Sequence, residues 1–293
     1  MSKILSIIIP VYNQENLIER CIDSIFFGLS RRTEKLVEVI CIDDGSTDQS
    51  VQKIKKYNSK NNFKLFQQPN SGLGYTRNKA IKMATGKFLL FLDSDDCLNP
   101  KNLPKLIELA SQSCSDCIDY NVTVFDHNRL THKGHMFKHK SAKKISLEQY
   151  FNRSSSLGIT AWSKIWNRKT IIENNITFQE NVKFEDIQFA RKFYDHAKKI
   201  DLINVDVYIY STGNISITRK SKFSTELAKD IYLVRIKQLK QWRQSTECKN
   251  LDSLLAKEIE RSKIDILRNM KKVFKGGLPE LKGIMYSLKG ILS

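Results

Sequence analysis

No stretch of the 293-residue chain approaches 18 uninterrupted apolar residues, so no segment reads as a membrane-spanning helix. The N-terminal run Met1-Ser-Lys-Ile-Leu-Ser-Ile-Ile-Ile9 is too short for a signal sequence, lacks a small-residue cleavage site and is broken at Pro10. Cysteine is sparse: six residues without a paired framework predict reduced thiols in a cytosolic setting. Cys21 and Cys41 fall in apolar runs, where a thiol behaves as a small hydrophobe. No glycine-rich loop follows the first predicted strand, where Pro10-Val-Tyr-Asn13 stands instead. The dinucleotide-binding fingerprint and the Walker loop are therefore both excluded. Acidic residues are in deficit, 31 Asp and Glu against 49 Lys and Arg, a net charge of +18. Such a surplus implies an anionic partner: nucleic acid, an anionic membrane face or phosphorylated ligands. The remaining composition, 41% apolar and 27% charged, is that of an ordinary soluble protein able to bury one large α/β core with an appendage.

What the chain does have is concentrated in Gly86-Lys-Phe-Leu-Leu-Phe-Leu-Asp-Ser-Asp-Asp96. The apolar run 88–92 predicts a strand buried on both faces of a parallel sheet. It stops in three carboxylates, Asp93, Asp95 and Asp96, which repel one another unless a cation lies among them; oxygen-only ligands favour Mg²⁺ or Mn²⁺. On this stretch alone a solvated acidic loop is the alternative. Residues 5–11 predict a first strand and 37–42 a second, which also ends in acid, Asp43-Asp44-Gly45-Ser46-Thr47-Asp48; 63–67 predict a third. Helices are expected over 15–27, after a cap at Ser46 or Thr47, and over 75–84 with Gly86 as the closing glycine. This β-α-β-α-β-α-β order predicts an α/β fold: a Rossmann-like, mostly parallel, doubly wound sheet that binds ligand at its carboxyl edge. That edge offers Tyr12 to stack a base, Asp43 and Asp44 to hydrogen-bond base or ribose, and Asp93 to Asp96 for a metal. Together they suit a nucleoside diphosphate, whose charge a metal must neutralise where no glycine-rich loop exists.

Four segments, Ser6-Ile-Ile-Ile-Pro-Val-Tyr-Asn13, Asp43-Asp-Gly-Ser-Thr-Asp48, Gly72-Leu-Gly-Tyr-Thr-Arg-Asn78 and Leu92-Asp-Ser-Asp-Asp96, closely resemble in order and spacing the family 2 glycosyltransferases of the GT-A fold. Glu185-Asp186 matches that family's acidic acceptor-side motif, and Ala161-Trp-Ser-Lys-Ile-Trp166 resembles the segment before it. The likeness covers roughly residues 4–215 and weakens between 115 and 155. It implies a GT-A catalytic domain over 1–217, with a nucleotide-sugar half (1–98) and an acceptor-side half (99–217), then a basic helical extension over 218–293. It also implies a non-processive hexosyl- or N-acetylhexosaminyl-transferase of bacterial surface glycans such as capsule, lipopolysaccharide or exopolysaccharide. The donor would be a UDP-sugar with Mn²⁺ or Mg²⁺, and the acceptor a glycan or lipid-linked oligosaccharide. A processive synthase of the superfamily would carry Gln-x-x-Arg-Trp; here Trp242 precedes Arg243.

By this resemblance Pro10, Tyr12 and Asp44 hold uracil and ribose, Asp44 accepting from the base, while Asp43 is at least as well explained as a strand-end group. Arg77 faces the diphosphate, where a guanidinium pairs well with phosphate oxygens, the alternative being a solvated residue on its helix. Asp95 binds the metal directly; Asp93 and Ser94 serve the sugar-nucleotide, Asp93 through the ribose or a metal-bound water. Asp96 either joins the metal or caps the next helix. Asp186 is the base that takes the acceptor proton, worth about 10²–10⁴-fold, with Glu185 beside it. A single in-line displacement inverts the anomeric centre, so an α-linked donor gives a β-linkage. Trp162 is a sugar-stacking candidate, although two tryptophans spaced like Trp162 and Trp166 are more often core.

Other classes fit less well. A nucleotidyltransferase would show a basic glycine-rich loop after the first strand. A nucleic-acid binder would interleave aromatics with its basic tracts, and the acidic edge would repel a phosphate backbone, so no nucleic-acid partner is expected. Cys114, Cys117, His127, His132, His135 and His139 suggest zinc, but seventeen residues separate Cys117 from His135 and 119–125 read as a strand. The basic run 133–144 is expected as a mobile loop near the acceptor. From residue 219 onward, 18 Lys and Arg face 8 Asp and Glu. Helical stripes over 223–242 and 251–274 predict packing, and 270–293 an interfacial helix on an anionic membrane. The expected location is cytoplasmic, peripheral on the inner face of the cell membrane.

Overall fold

A computed structural model describes residues 2–126, 129–153 and 158–212, with 239–240, 242–244, 252–257 and 259–260 of the C-terminal part. In chain order the elements are β1 (Leu5–Val11), α1 (Ile18–Phe26), α2 (Arg31–Glu34), β2 (Val37–Asp43), α3 (Ser50–Lys55), β3 (Phe63–Gln67), α4 (Leu73–Met83), β4 (Phe88–Phe91) and β5 (Cys97–Leu98). Then come α5 (Leu103–Gln112), β6 (Cys117–Asp126), β7 (Thr131–Phe137), β8 (Lys143–Ser146), α6 (Leu147–Arg153), a 3-10 turn (Ala161–Ser163), β9 (Lys164–Asn167), α7 (Arg168–Glu173), α8 (Glu185–Tyr194) and β10 (Lys199–Thr212).

β1, β2 and β4 are buried along their whole lengths, as continuous apolar runs in a doubly covered parallel sheet must be. Leu5, Ile7, Ile9, Val39, Cys41 and Leu90 pack against Ile18, Ile22 and Ile25 of α1 and Leu103, Leu106 and Ile107 of α5. On a separate patch Phe91 meets Phe178 and Phe189 edge-on, at ring separations of 5.1 and 5.8 Å. The sheet order is β3-β2-β1-β4-β9-β6-β10-β5, with β7 on β6 and β8 on β10. β1 to β4, β6 and β10 share one direction, and β9 runs against both its neighbours. The chain is thus α/β with a mixed, mostly parallel sheet.

Several local expectations change. α3 begins at Ser50, not after Ser46 or Thr47. Ser46 Oγ instead accepts from Asn13 N, and Asp48 accepts from Glu15 N and Ser50 N, so this tract ties the exits of β1 and β2 together. Gly86 does not close α4, whose C-cap is Ala84 in extended conformation. It is required because a Cβ there would lie 2.6 Å from Ser6 N. Trp162 and Trp166 share no helix: one lies in the 3-10 turn, the other on β9. The run 133–144 is not a single loop, because β7 hydrogen-bonds to β6 and β8 to β10. Zinc finds no set of ligands: no group of three His, Cys, Asp or Glu among the described residues is arranged to hold a metal. His135 pairs with Asp206 and His139 with Asp119, while His127 lies outside the described residues.

The chain divides into two units, residues 1–150 with 158–214, and 151–157 with 215–293. In the second, Leu239, Trp242 and Leu255 are buried, and Arg243 pairs with Asp252 through Nε (2.6 Å) and Nη2 (3.2 Å). Most of the stripes expected over 223–242 and 251–274, and the whole of 270–293, lie outside the described residues. Among those described, no helix is long and apolar enough to cross a membrane.

Candidate active site

Register brings three strand ends to one edge: Val11 lies beside Asp43, Asp43 beside Gln67, and Ile8 beside Phe91. Pro10 is buried within β1 and Tyr12, just beyond it, is 41% exposed. Asp44 is buried, and its carboxylate organises the next loop. Oδ1 accepts from Gln68 Nε2 and Ser71 N, both at 2.8 Å, and Oδ2 from Gly72 N at 2.9 Å. These bonds satisfy backbone donors at the start of α4, whose cap Gly72 has no side chain and sits at φ 88°. About one of the four acceptor positions on Asp44 is left over. Asp43 Oδ2 accepts from Ser46 N, and its buried Oδ1 has no hydrogen-bond partner among the described residues.

Beyond β4 the three acids part company. Asp96 is 1% exposed; its Oδ2 accepts from Tyr208 Oη and its Oδ1 from Ser211 N, both at 2.7 Å. Burial, with Asp95 and Asp93 alongside, pushes its carboxyl well above the usual range. Asp96 therefore anchors β10; it caps no helix, since α5 starts only at Leu103. Asp93 Oδ1 accepts from Arg77 Nη2 at 2.8 Å, and the Asp93 side chain is partly exposed. Asp95 is partly buried, its backbone O accepting from Arg20 Nη2 at 2.6 Å, and Ser94 is buried. With Asp96 engaged by β10, Asp93 and Asp95 are the carboxylates this strand end has to offer. That fits a Mg²⁺- or Mn²⁺-type site, in which one or two carboxylates hold the ion and substrate phosphates and water complete it.

Arg77 does not lie on a solvated helix face. It is 2% exposed, over the rings of Phe91 and Phe178, and besides Asp93 it reaches Glu185 Oε1 with Nη1 at 2.6 Å. One guanidinium therefore joins the end of β4 to the first turn of α8. The rest of the same face of α4 grips the segment leading into α8. Asn78 Nδ2 donates to Phe178 O and Glu180 Oε1, and Asn78 Oδ1 accepts from Phe178 N. Gly74 approaches Gln179 O so closely that no Cβ would fit. Phe184, immediately before the acid pair, holds φ 59°, a strained setting for a bulky side chain.

Asp186 follows in the first turn of α8. Burial first, then the neighbouring Glu185 charge and Asp93, raise its carboxyl to about 7; Arg77 and a hydrogen bond from Ala161 N pull the other way. Ala161 belongs to a turn that is itself anchored. Lys164, wholly buried, donates to Gly158 O (2.9 Å) and Ser163 Oγ (2.8 Å) and lies 3.9 Å from Asp119. Burial opposes the Asp119 charge, yet Lys164, His139 and Tyr150 hold that carboxyl below its usual range. Within the turn, Trp162 is partly buried and stacks on Tyr208 and Tyr210 at 5.0 and 5.4 Å, with Phe137 tilted against it at 6.0 Å.

A model of the glycosyl transferase family 2 domain matches residues 6–175, more than half of the chain. The chain belongs to glycosyl transferase family 2. Among relatives in this family, the poly(ribitol-phosphate) beta-N-acetylglucosaminyltransferase TarS of Staphylococcus aureus is 33% identical over 210 residues, 71% of this chain and 35% of that protein. The cholesterol galactosyltransferase of Borreliella burgdorferi is 30% identical over 239 residues, 75% of this chain and 65% of that one. The chain thus spans between a third and two thirds of the length of these relatives. The fold matches the crystal structure of S. aureus TarS 1–349 in complex with UDP-GlcNAc, with a TM-score of 0.71 and 25% identity over 95% of this chain and 77% of that one. The sheet described above is accordingly a GT-A sheet.

Sequence reasoning missed three contributors: Ala161 N, Asn78 and Tyr208. Asn78 carried a signal, since it closes the Gly72-to-Asn78 motif; Ala161 acts through its backbone and left none.

Proposed function

We propose that the chain transfers a sugar from a UDP-sugar to a hydroxyl of a glycan or lipid-linked acceptor of a bacterial surface polysaccharide, with inversion. The observation that carries this reading is that Arg77 joins Asp93 on the donor edge to Glu185, the immediate neighbour of the raised carboxyl Asp186. The acceptor hydroxyl must lose a proton as it attacks, and a base poised near neutral pH is suited to take it. Asp186 fills that role; Ala161 N orients it and Glu185 keeps its proton affinity up. Tyr12 and Asp44 receive the uracil, Asp44 through its remaining acceptor position, and Pro10, Asp43, Asp93 and Ser94 line the nucleotide. A divalent cation held by Asp95, with Asp93, would stabilise charge on the departing diphosphate as a Lewis acid.

TarS, crystallised with UDP-GlcNAc, supports the donor class. The relatives' names cover N-acetylglucosaminyl and galactosyl transfer, so the sugar is left as a hexose or N-acetylhexosamine. Trp162 is assigned to the acceptor side, where Tyr208 and Tyr210 fix its ring. The basic residues beyond 218 are assigned to an anionic inner membrane surface; deleting 270–293 should weaken liposome binding, and unchanged binding removes that assignment.

The test is thermal protection by UDP with and without Mn²⁺, followed by a screen of UDP-sugars for metal-dependent hydrolysis. A UDP shift that grows with Mn²⁺ is expected; no shift with UDP under either condition would defeat the proposal.

A further inference from the structure

β10 slips register against β6 on both sides of Asp206. Such irregularities re-aim side chains and open a strand to ligands. Here the slip borders a cleft of about 320 Å³ lined by Asn102, Lys105, His135, Lys138, Asn204 and Asp206, with Val205 its one apolar member. Its walls are set by a buried amide. Asn121, 1% exposed, donates through Nδ2 to Asn204 Oδ1 (2.9 Å) and Asp206 Oδ1 (2.8 Å), and accepts from His139 N (2.8 Å). Asp206 Oδ1 also takes a hydrogen bond from His135 Nε2 at 2.9 Å, and Asn102 Nδ2 donates to Asp206 O at 2.9 Å.

The two lysines are held loosely. Among the described residues Lys105 pairs with exposed Glu108 alone, a contact of small energetic weight. Lys138 makes no ion pair within 4 Å among the described residues, although, against burial, its charge adds to the hydrogen bonds from Asn121 and His135 in holding the Asp206 carboxyl below its usual range. They continue a basic surface: residues 129–144 contain no acid, and Arg129, Lys133, Lys140, Lys143 and Lys144 are exposed. This surface adjoins the acceptor side directly, since Phe137, next to Lys138, packs on Trp162.

We infer that this cleft binds a phosphate and the adjoining hydroxyls of the acceptor, which is therefore a phosphate-bearing polyol or glycan chain. Lys105 and Lys138 supply the charge for a phosphate oxygen. Asp206 and Asn204 accept from hydroxyls, which a site for a bare anion would not need. The lining holds no Phe, Tyr or Trp on which a base could stack, which argues against a nucleic acid. The inference rests on the transferase reading above, because it assigns the cleft to the acceptor of that reaction.

The experiment measures binding of a glycerol phosphate hexamer to the full chain and to the double variant Lys105→Gln, Lys138→Gln, with maltohexaose, a hexanucleotide and phosphatidylglycerol vesicles as parallel probes. Binding of the hexamer should weaken as salt rises and fall by about tenfold in the double variant, while maltohexaose binds poorly to both. Equal hexamer affinity in both proteins, or no hexamer binding, overturns the inference. Tighter lysine-dependent binding of the hexanucleotide or the vesicles overturns it in favour of those partners. UDP protection is read in the same samples: its absence would count against the transferase reading, whereas the lysine dependence judges the cleft alone.

Discussion

Replacing Asp186 by asparagine tests the proposed base through two quantities with opposite signs. The carboxyl titrates at about 7 in the folded chain against 3.8 for an ordinary Asp. Because the folded value is the raised one, the group's stability contribution is full below the unfolded value and is lost as pH climbs through about 7. The loss runs at about 1.4 kcal/mol per pH unit in that window. Between pH 5 and pH 8 the wild type therefore gives up roughly 3 kcal/mol at this site. Asparagine has the same shape and no proton to lose, so Asp186→Asn should gain on the wild type by that amount over the same interval. Urea unfolding at the two pH values, followed by tryptophan fluorescence, measures the gap. In parallel, transfer should fall by about 10²–10⁴-fold with UDP protection intact. A gap that stays constant with pH, or turnover near the wild-type rate, would refute the assignment.

Four further outcomes are expected. Glu185→Gln removes the charge that most raises Asp186 after burial, so the acidic limb of the pH–rate profile should move below 7; a limb that stays or rises contradicts the pairing. Asp44→Ala strands Ser71 N and Gly72 N and should cost about 3 kcal/mol together with most UDP protection, which calorimetry and thermal shift would register. Gly74→Ala forces α4 away from Gln179 O; a loss of about 1–3 kcal/mol with a lower turnover number but retained UDP binding is anticipated. Lys164→Met leaves Asp119 buried beside only His139 and Tyr150, so a destabilisation of about 3–5 kcal/mol should appear in denaturant titration.

What could be read in advance depended on how local its cause was. The strands β1, β2 and β4 are apolar runs whose burial needs no partner to be named, and their acidic ends follow directly in sequence. β7 was hidden because its exposed, basic residues carry no alternating pattern; it exists through pairing with β6. β9 is four residues long, and its tryptophan mimicked a helical repeat with Trp162. Arg77 shows the limit most clearly. Resemblance pointed it at phosphate, whereas its carboxylate partners come from positions 16 and 108 residues away. Gly86 was recognised as special for the wrong reason: its neighbour is Ser6, at the start of the adjacent strand β1 and eighty residues away in sequence.

The grip of α4 on the segment before α8 bears on how such chains can recombine. Gly74, Arg77 and Asn78 lie in the first hundred residues and, apart from the Asp93 carboxylate that Arg77 also holds, their partners lie beyond residue 177. A crossover that imported a foreign acceptor half would inherit a loop shaped for some other α4, and the proton-accepting carboxylate would arrive out of place. New acceptor preferences are more readily acquired by exchanging β7 and β8, which hang on the sheet by one partner each and take no part in that interlock.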